Sequence, residues 1–347
     1  MNTTKINNLD NTIKEHYVPR FYLERFSNPS KSGNEQKIWI FNKLTQKSFL
    51  HNIDTTATGN YFYDFLFDFI EEDKKKTFDT DLQKLEDFIA PFYKKFEKRL
   101  YYILKSDERK QYKIRVLNNN QKQVWAKFLA AQALRTPEFR NLLQEVKQKT
   151  DKAKITEYFL EQQVQKHIKP IKRYFPESNI EYAKEFLANQ TSQLVNNLYT
   201  KESISLLHYD FFKNHIHKLQ KIFLTHKWTI GINQTNIPFY TSDHPVVKNP
   251  YFMTGYSSEG VEIMFPVNSK TIFVIREKEH PRSNDGDCKL VNLSEEEVTG
   301  YNAAQVYCSN QFIYRQENNF ELAQEICKNN HDAFSEDRNR VIFISNE

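Results

Sequence analysis

The spacing of apolar residues changes near Lys227, and this change constrains the fold more than any other feature of the sequence. Before it, over about residues 78–225, apolar side chains recur three, four and seven positions apart, as at Leu82, Leu85 and Ile89. This spacing puts them on one face of a helix, so the middle of the chain is predicted to form long helices.

The segments after this point alternate in the manner of half-buried strands. Trp228, Ile230 and Ile232 stand two positions apart, which places them on one face of a strand. The other strand-like segments are residues 237–241, 261–265, 271–275, 312–314 and 341–344.

A hairpin is predicted close to the N-terminus. The apolar run at residues 37–41 is followed by a short polar turn and then by Phe49 and Leu50. We expect the strand at residues 38–41 to share a sheet with the strand that ends at Thr241.

These elements together predict the α+β class. A mixed or antiparallel sheet, formed by the N-terminal hairpin and the C-terminal strands, would be covered by a long-helix bundle from the middle of the chain. Residues 1–14 are interpreted as a disordered tail. Residues 15–347 are interpreted as a single domain whose helical part is residues 78–225.

The composition limits the partners and the compartment. Among 347 residues, 49 are basic and 44 acidic, and a net charge of +5 permits a nucleic acid or nucleotide partner without requiring one. The sequence has no apolar run long enough to span a membrane, and its first residues lack the apolar core of a signal peptide. The three cysteines form no CxxC pair, which predicts free thiols in a reducing cytoplasm.

No motif identifies a cofactor. The chain has only seven glycines and contains neither GxGxxG nor GxxxxGK[ST]. His208, His215 and His217 are close in sequence, but His217 falls on the opposite side of the predicted helix, so they cannot converge on one metal ion. We therefore expect no metal site there.

The segment His16-Tyr-Val-Pro-Arg20 is the first candidate for chemistry. His16 comes shortly before a helix that Pro19 would begin, and the open N–H groups of a first turn favour a neutral imidazole that can act as a base. Arg20 would hold an anion one turn later. The alternative is a structural histidine at the start of a helix.

Gln132 and Arg135 are the second candidate. Gln132 falls in the middle of the apolar stripe that Trp125 and Phe128 define, and Arg135 falls at its edge. A buried arginine needs an anion, which is either a ligand or an internal carboxylate. For an internal partner, Asp243 and Glu86 are the first choices.

Ser242 and Asp243 are the third candidate. A strand runs into the polar cluster Tyr240-Thr-Ser-Asp-His-Pro245, and polar side chains at a strand end are a common way to build a site on a rigid scaffold. A turn that caps the strand is the alternative, since these residue types also favour it.

A late helix carries the fourth candidate. Ser294 and Glu297 have the capping-box spacing, so the helix is predicted at about residues 295–308. Asn302 and Gln305 lie on one of its faces and would either bind substrate or hydrogen-bond to the sheet.

The whole chain resembles a family known only as domain of unknown function 4238. Three stretches carry the resemblance: HYVPRFYLERF at residues 16–26, followed shortly by IWIF at residues 38–41; LRTP at residues 134–137; and FYTSD at residues 239–243 with Pro245. Residues 302–309 carry a weaker likeness. They run in that family's order. His244 departs from it, since a small polar residue such as asparagine is expected there.

The resemblance implies membership of the family but no activity. It implies that the residues matching the family's motifs act together. These residues are His16, Arg20, Arg135, Ser242 and Asp243. Polar residues so far apart in sequence would gather in one site.

Two hypotheses for the function follow. The first is a hydrolase or nuclease-like enzyme that acts on a phosphate-bearing substrate. His16 would be the general base, Arg20 and Arg135 would stabilise the phosphate charge, and Asp243 would orient His16 or bind a metal. Defence against phage is a setting we consider for it, although no residue indicates it. The second is a non-catalytic module that binds protein or nucleic acid, in which the same polar residues form a structural network. An open pocket lined by these residues would support the enzyme; burial with mutual hydrogen bonds would support the module.

Overall fold

The computed structural model describes residues 14–28, 35–60, 62, 72–106, 111–149, 152–164, 168, 177–198, 204–249, 255–330, 334, 338 and 340. Most of the expected tail and the expected strand at residues 341–344 lie outside these ranges. Lys14 is the exception, since it begins the first strand.

Long helices occupy the middle of the chain, as the spacing of its apolar residues predicted. The helices are α1 (Arg20–Leu23), α2 (Glu72–Leu104), α3 (Asn119–Leu134), α4 (Pro137–Lys149), α5 (Lys152–Gln163), α6 (Glu177–Leu198), α7 (Ile204–Thr225), α8 (Glu295–Cys308) and α9 (Glu321–Asn329). Within the described ranges, no helix has the length and apolar character needed to cross a membrane.

Local sequence explains where two of these helices start. Pro137 begins α4, because a proline at the first helical position loses no hydrogen bond, and the Thr136 hydroxyl accepts from the Phe139 N–H at 3.4 Å. The capping box of Ser294 and Glu297 begins α8, so this prediction is confirmed.

The strands fall mostly after α7. They are β1 (Lys14–His16), β2 (Lys37–Asn42), β3 (Lys47–Asn52), β4 (Thr58–Asn60), β5 (Lys227–Asn233), β6 (Thr241–Ser242), β7 (Val247–Lys248), β8 (Glu262–Asn268), β9 (Thr271–Arg276), β10 (Lys289–Leu293) and β11 (Phe312–Arg315).

These strands form more than one sheet. A five-stranded sheet has the order β10-β5-β9-β8-β7, with β10 parallel to β5 and the other pairs antiparallel. An antiparallel sheet has the order β3-β2-β11-β6, and β1 pairs with β4. The α+β class is confirmed. The pairing of the hairpin with the strand at Thr241 is confirmed too, through β11, where Tyr314 lies between Ile40 and Thr241.

The expected strand at residues 237–241 is shorter than its sequence suggested. Only Thr241 and Ser242 pair as β6, because the N–H of Tyr240 is bonded to the side chain of Asn302 and Pro238 has no N–H to donate. Side chains of α8 thus replace a neighbouring strand over this segment.

The five-stranded sheet is covered on both faces. Phe265 and Phe273 pack against the helical layer, where the Trp125 ring lies 4.8 Å from the Phe273 ring centroid. Met264 and Val274 point to the opposite face and pack with α8. The chain therefore buries a continuous aromatic core between the helices and this sheet.

Candidate functional site

His16 ends β1 and lies beside the helical layer. Burial, and not the start of a helix, sets the charge of His16. Loss of contact with water lowers the pKa of His16, while a hydrogen bond to the Ile53 backbone and the nearby Glu86 carboxylate oppose that shift. The imidazole is therefore neutral at pH 7, as predicted, although α1 begins only at Arg20.

Arg135 is buried against a carboxylate, which confirms the prediction. Its guanidinium lies 2.6 Å from Glu86, and it also donates a hydrogen bond to the carbonyl oxygen of His16. The Arg135 side chain is 3% exposed and that of Glu86 24% exposed. The guanidinium of Arg135, which a phosphate would need, is thus already paired with a carboxylate of the chain.

Gln132 holds the same segment from one turn earlier in α3. Its Nε2 donates to the carbonyl oxygen of Tyr17 at 3.0 Å, while its buried Oε1 finds no hydrogen-bond partner among the described residues. Gln132 and Arg135 together fix the chain just after β1 onto α3.

Arg20 lies at the surface, with half of its side chain exposed. It donates to Asp54 and, at 2.9 Å, to Glu24. The Asp54 carboxylate also lies close enough to His16 to raise the pKa of that imidazole. Arg20, His16 and Arg135 are therefore neighbours, but carboxylates of the chain already pair with both arginines.

Asp243 is fully buried and organises the turn before β11. Its oxygens accept hydrogen bonds from the N–H groups of Asn310, Gln311 and Phe312 at 2.7–2.8 Å. Burial raises the pKa of Asp243, and the ammonium of Lys43 and the three N–H groups oppose that rise. This arrangement is that of a structural cap.

Ser242 and Asn302 connect the same segment to α8. The Ser242 hydroxyl donates to Gln305 Oε1 at 2.7 Å and accepts from the His244 N–H at 3.2 Å. Asn302 accepts from the N–H of Tyr240 at 2.7 Å and donates to the carbonyl oxygen of Pro238 at 3.0 Å. Each polar group thus satisfies a neighbour that burial would otherwise leave unpaired.

We call the three stretches that carry the family resemblance the first, second and third motifs, in chain order. They meet at what we call the motif junction, formed by His16, Tyr22, Arg135, Thr136 and His244. The first and second motifs join through Arg135, and the first and third through the Tyr22 hydroxyl, 2.6 Å from Thr241 Oγ1. The second and third join through Thr136 Oγ1, 2.6 Å from His244 Nδ1. Burial lowers the pKa of His244 to about 3, so this imidazole is neutral.

The sequence stretches that carry the resemblance therefore assemble into one place. A scan against protein-family models finds DUF4238, described as a protein of unknown function, over residues 14–319. The chain belongs to the DUF4238 family. Neither a curated protein nor a solved structure matches it. All three motifs of the DUF4238 chain lie within the matched range.

Within the described ranges, no three His, Cys, Asp or Glu side chains gather as a metal site would require. His208 instead contacts the carbonyl oxygen of Leu134 through Nε2, and burial lowers its pKa to about 3. Cys288, Cys308 and Cys327 are free thiols.

The sequence reasoning missed a basic cleft at the C-terminal end of α2. We call it the α2 cleft; it is a shallow depression, largely open to solvent, with a volume of about 570 Å³. It is lined by Lys95, Lys98, Arg99, Tyr102, Ile103, Ser106 and Ile114. The run KKFEKRLYY at residues 94–102 is the signal that would have found it, since positions 95, 98, 99 and 102 share one helical face.

Proposed function

We propose that this DUF4238 protein is a non-catalytic module that binds nucleic acid through the α2 cleft. The observation that carries the proposal is the chemistry of that cleft, which combines three exposed cations with one exposed aromatic ring. Cations next to aromatic rings are the usual means by which proteins hold a phosphate backbone and its bases.

The cations of the α2 cleft are available to a partner. In the part of the chain that the structure describes, no carboxylate lies within ion-pair distance of Lys95, Lys98 or Arg99. The one acidic residue among them in sequence, Glu97, faces away and pairs with Arg25 at 3.1 Å. Among the described residues, the charges of Lys95, Lys98 and Arg99 therefore line the cleft without a carboxylate partner.

The motif junction supports a structural role for the polar residues of the three motifs better than it supports catalysis. Arg135 and Asp243 are buried, and their hydrogen bonds go to other groups of the chain. A phosphate-bearing substrate would have to displace Glu86 from Arg135. The hydrolase or nuclease-like activity remains a hypothesis that the first test below also addresses.

Binding of a fluorescein-labelled oligonucleotide, followed by anisotropy, tests the proposal. The triple variant Lys95→Glu, Lys98→Glu, Arg99→Glu should lose most of its affinity. Wild-type affinity should fall steeply between 50 and 200 mM salt, because phosphate binding releases counterions.

A matched control has the same change in net charge at other exposed lysines, Lys47→Glu, Lys184→Glu, Lys278→Glu. It should bind as the wild type does. Equal loss in both triple variants would mean that only the overall charge matters, and the α2 cleft would no longer be the site. Cleavage of the oligonucleotide by the wild type, abolished by His16→Ala, would favour the hydrolase.

A further inference from the structure

The exposed tyrosines at the end of α2 narrow the class of nucleic acid. Tyr102 is 61% exposed and lines the α2 cleft, while its neighbour Tyr101 is 53% exposed. The Lys105 ammonium lies 4.6 Å from the centre of the Tyr101 ring and so covers one of its faces. The Tyr101 and Tyr102 rings also contact each other edge to face, with centroids 5.8 Å apart. Tyr102 is the more exposed of the two and the one that lines the α2 cleft, so it is the ring offered to a planar partner.

Stacking on a side chain requires a base whose face is open. In a duplex each base is already stacked between its neighbours, so a protein ring reaches it only after unstacking; in a single strand the faces are open. A tyrosine in a cleft of about 570 Å³, with cations beside it, suits a single strand whose phosphates lie along Lys95, Lys98 and Arg99.

A second cleft lies next to the first. Ile114 lines the α2 cleft, and the next residue, Arg115, lines a cleft of about 370 Å³ with Lys122 and Lys227. Arg99 Nη2 donates to the carbonyl oxygen of Arg115 at 3.3 Å, which ties the two clefts together.

The second cleft keeps a positive charge. Asp287 is the one carboxylate among its described lining residues, and it pairs with Arg115 at 3.0 Å and with Lys122 at 2.9 Å. Lys227 is exposed and adds a third cation. With three cations and one carboxylate, the described charged residues of this cleft have a net positive charge, which favours binding of a phosphate.

From this geometry we infer that the partner is a single strand, which stacks a base on Tyr102 and continues past Arg115 into the second cleft. The inference rests on the proposed function and adds to it the type of strand and its path. The two clefts together would cover several nucleotides, within the range of about 4–16 that single-strand binding folds occupy.

Full-length protein is titrated into a labelled oligodeoxythymidylate of about 12 nucleotides, and separately into the same strand annealed to its complement. The single strand should bind at least ten-fold more tightly. Tyr102→Ala should weaken single-strand binding about 5- to 150-fold, which is the usual worth of a stacked base, whereas Tyr102→Phe should bind as the wild type does. Tyr182→Ala removes a ring that is 74% exposed on α6, outside both clefts, and is the matched control that should bind as the wild type does.

Lys227→Glu tests the path through the second cleft. It should weaken the 12-nucleotide strand several-fold and leave a strand of about 4 nucleotides, which fills only the first cleft, unchanged. Unchanged affinity for both strand lengths would refute the inferred path past Arg115.

The failures are distinguishable. Equal affinity for duplex and single strand, with unchanged affinity in Tyr102→Ala, would overturn the single-strand inference. If the triple variant of the α2 cleft still lost binding in that case, the proposed function would stand. No binding of either nucleic acid at 50 mM salt would overturn both. Circular dichroism of each variant verifies that it is folded.

Discussion

The buried ion pair between Arg135 and Glu86 gives the sharpest test of how the motifs hold the fold. Arg135→Ala removes the partner of Glu86 and also the hydrogen bond to the carbonyl oxygen of His16. Breaking a buried pair by removing one member costs about 3–5 kcal/mol. Since Glu86 keeps some contact with water, Arg135→Ala should lie near the lower end of that range.

Glu86→Ala should cost more than Arg135→Ala. It leaves the guanidinium of Arg135, which is 3% exposed, without its carboxylate, whereas the reverse change leaves a carboxylate that is 24% exposed. The double variant should be less destabilised than the sum of the two single variants, because the pair is lost only once.

Arg20→Ala is the matched control. Arg20 also contacts two carboxylates, Glu24 and Asp54, but half of its side chain is exposed. Exposed pairs contribute about 0–1 kcal/mol, so this variant should unfold close to the wild type. Urea unfolding followed by circular dichroism measures all four variants. If Arg135→Ala shifts the midpoint no more than Arg20→Ala, the reasoning about the buried pair is wrong.

Three further outcomes follow from other contacts of the structure. Trp125→Ala should destabilise the chain by about 3–5 kcal/mol, because it empties the aromatic core against Phe273, and thermal unfolding checks this. Asp243→Asn should cost on the order of 3 kcal/mol in urea unfolding, since an amide accepts poorly from three N–H groups; an unchanged midpoint would show that the cap is dispensable. The folded-state pKa of His244, about 3, lies below its ordinary 6.5, so the unfolded chain takes up a proton first and stability falls as the pH drops below 6.5. His244→Asn should remove roughly 2 kcal/mol of the stability difference between pH 7 and pH 5; an identical pH dependence would contradict the assignment.

Local patterns made part of this molecule predictable. The start of α8 follows from Ser294 and Glu297, whose bonds involve only neighbours in sequence. The burial of Arg135 follows from its place on a helical stripe, and Glu86 could be named as a partner because it stands at the edge of another. Periodicity likewise separated the helical middle from the strands.

The remainder depends on contacts between distant segments, which one sequence does not specify. The short length of β6 depends on Asn302 accepting the hydrogen bond of the Tyr240 N–H, 62 positions away. The role of Asp243 as a cap depends on a turn 67 positions later. Lys43 stands in a polar hairpin turn, yet its ammonium is buried against the carbonyl oxygens of Val306 and Ser309, each at 2.7 Å.

One comparison tests the central claim, that the motif junction supports the fold and the α2 cleft binds the partner. Single-strand affinity and cleavage are measured side by side for His16→Ala and for Lys98→Glu with Arg99→Glu. His16→Ala keeps the backbone oxygen that Arg135 binds, so it should stay folded and bind as the wild type does. The double variant of the cleft should bind weakly, and none of the proteins should cleave the strand. Cleavage by the wild type that His16→Ala abolishes, with binding unaffected by the cleft variant, would contradict the account.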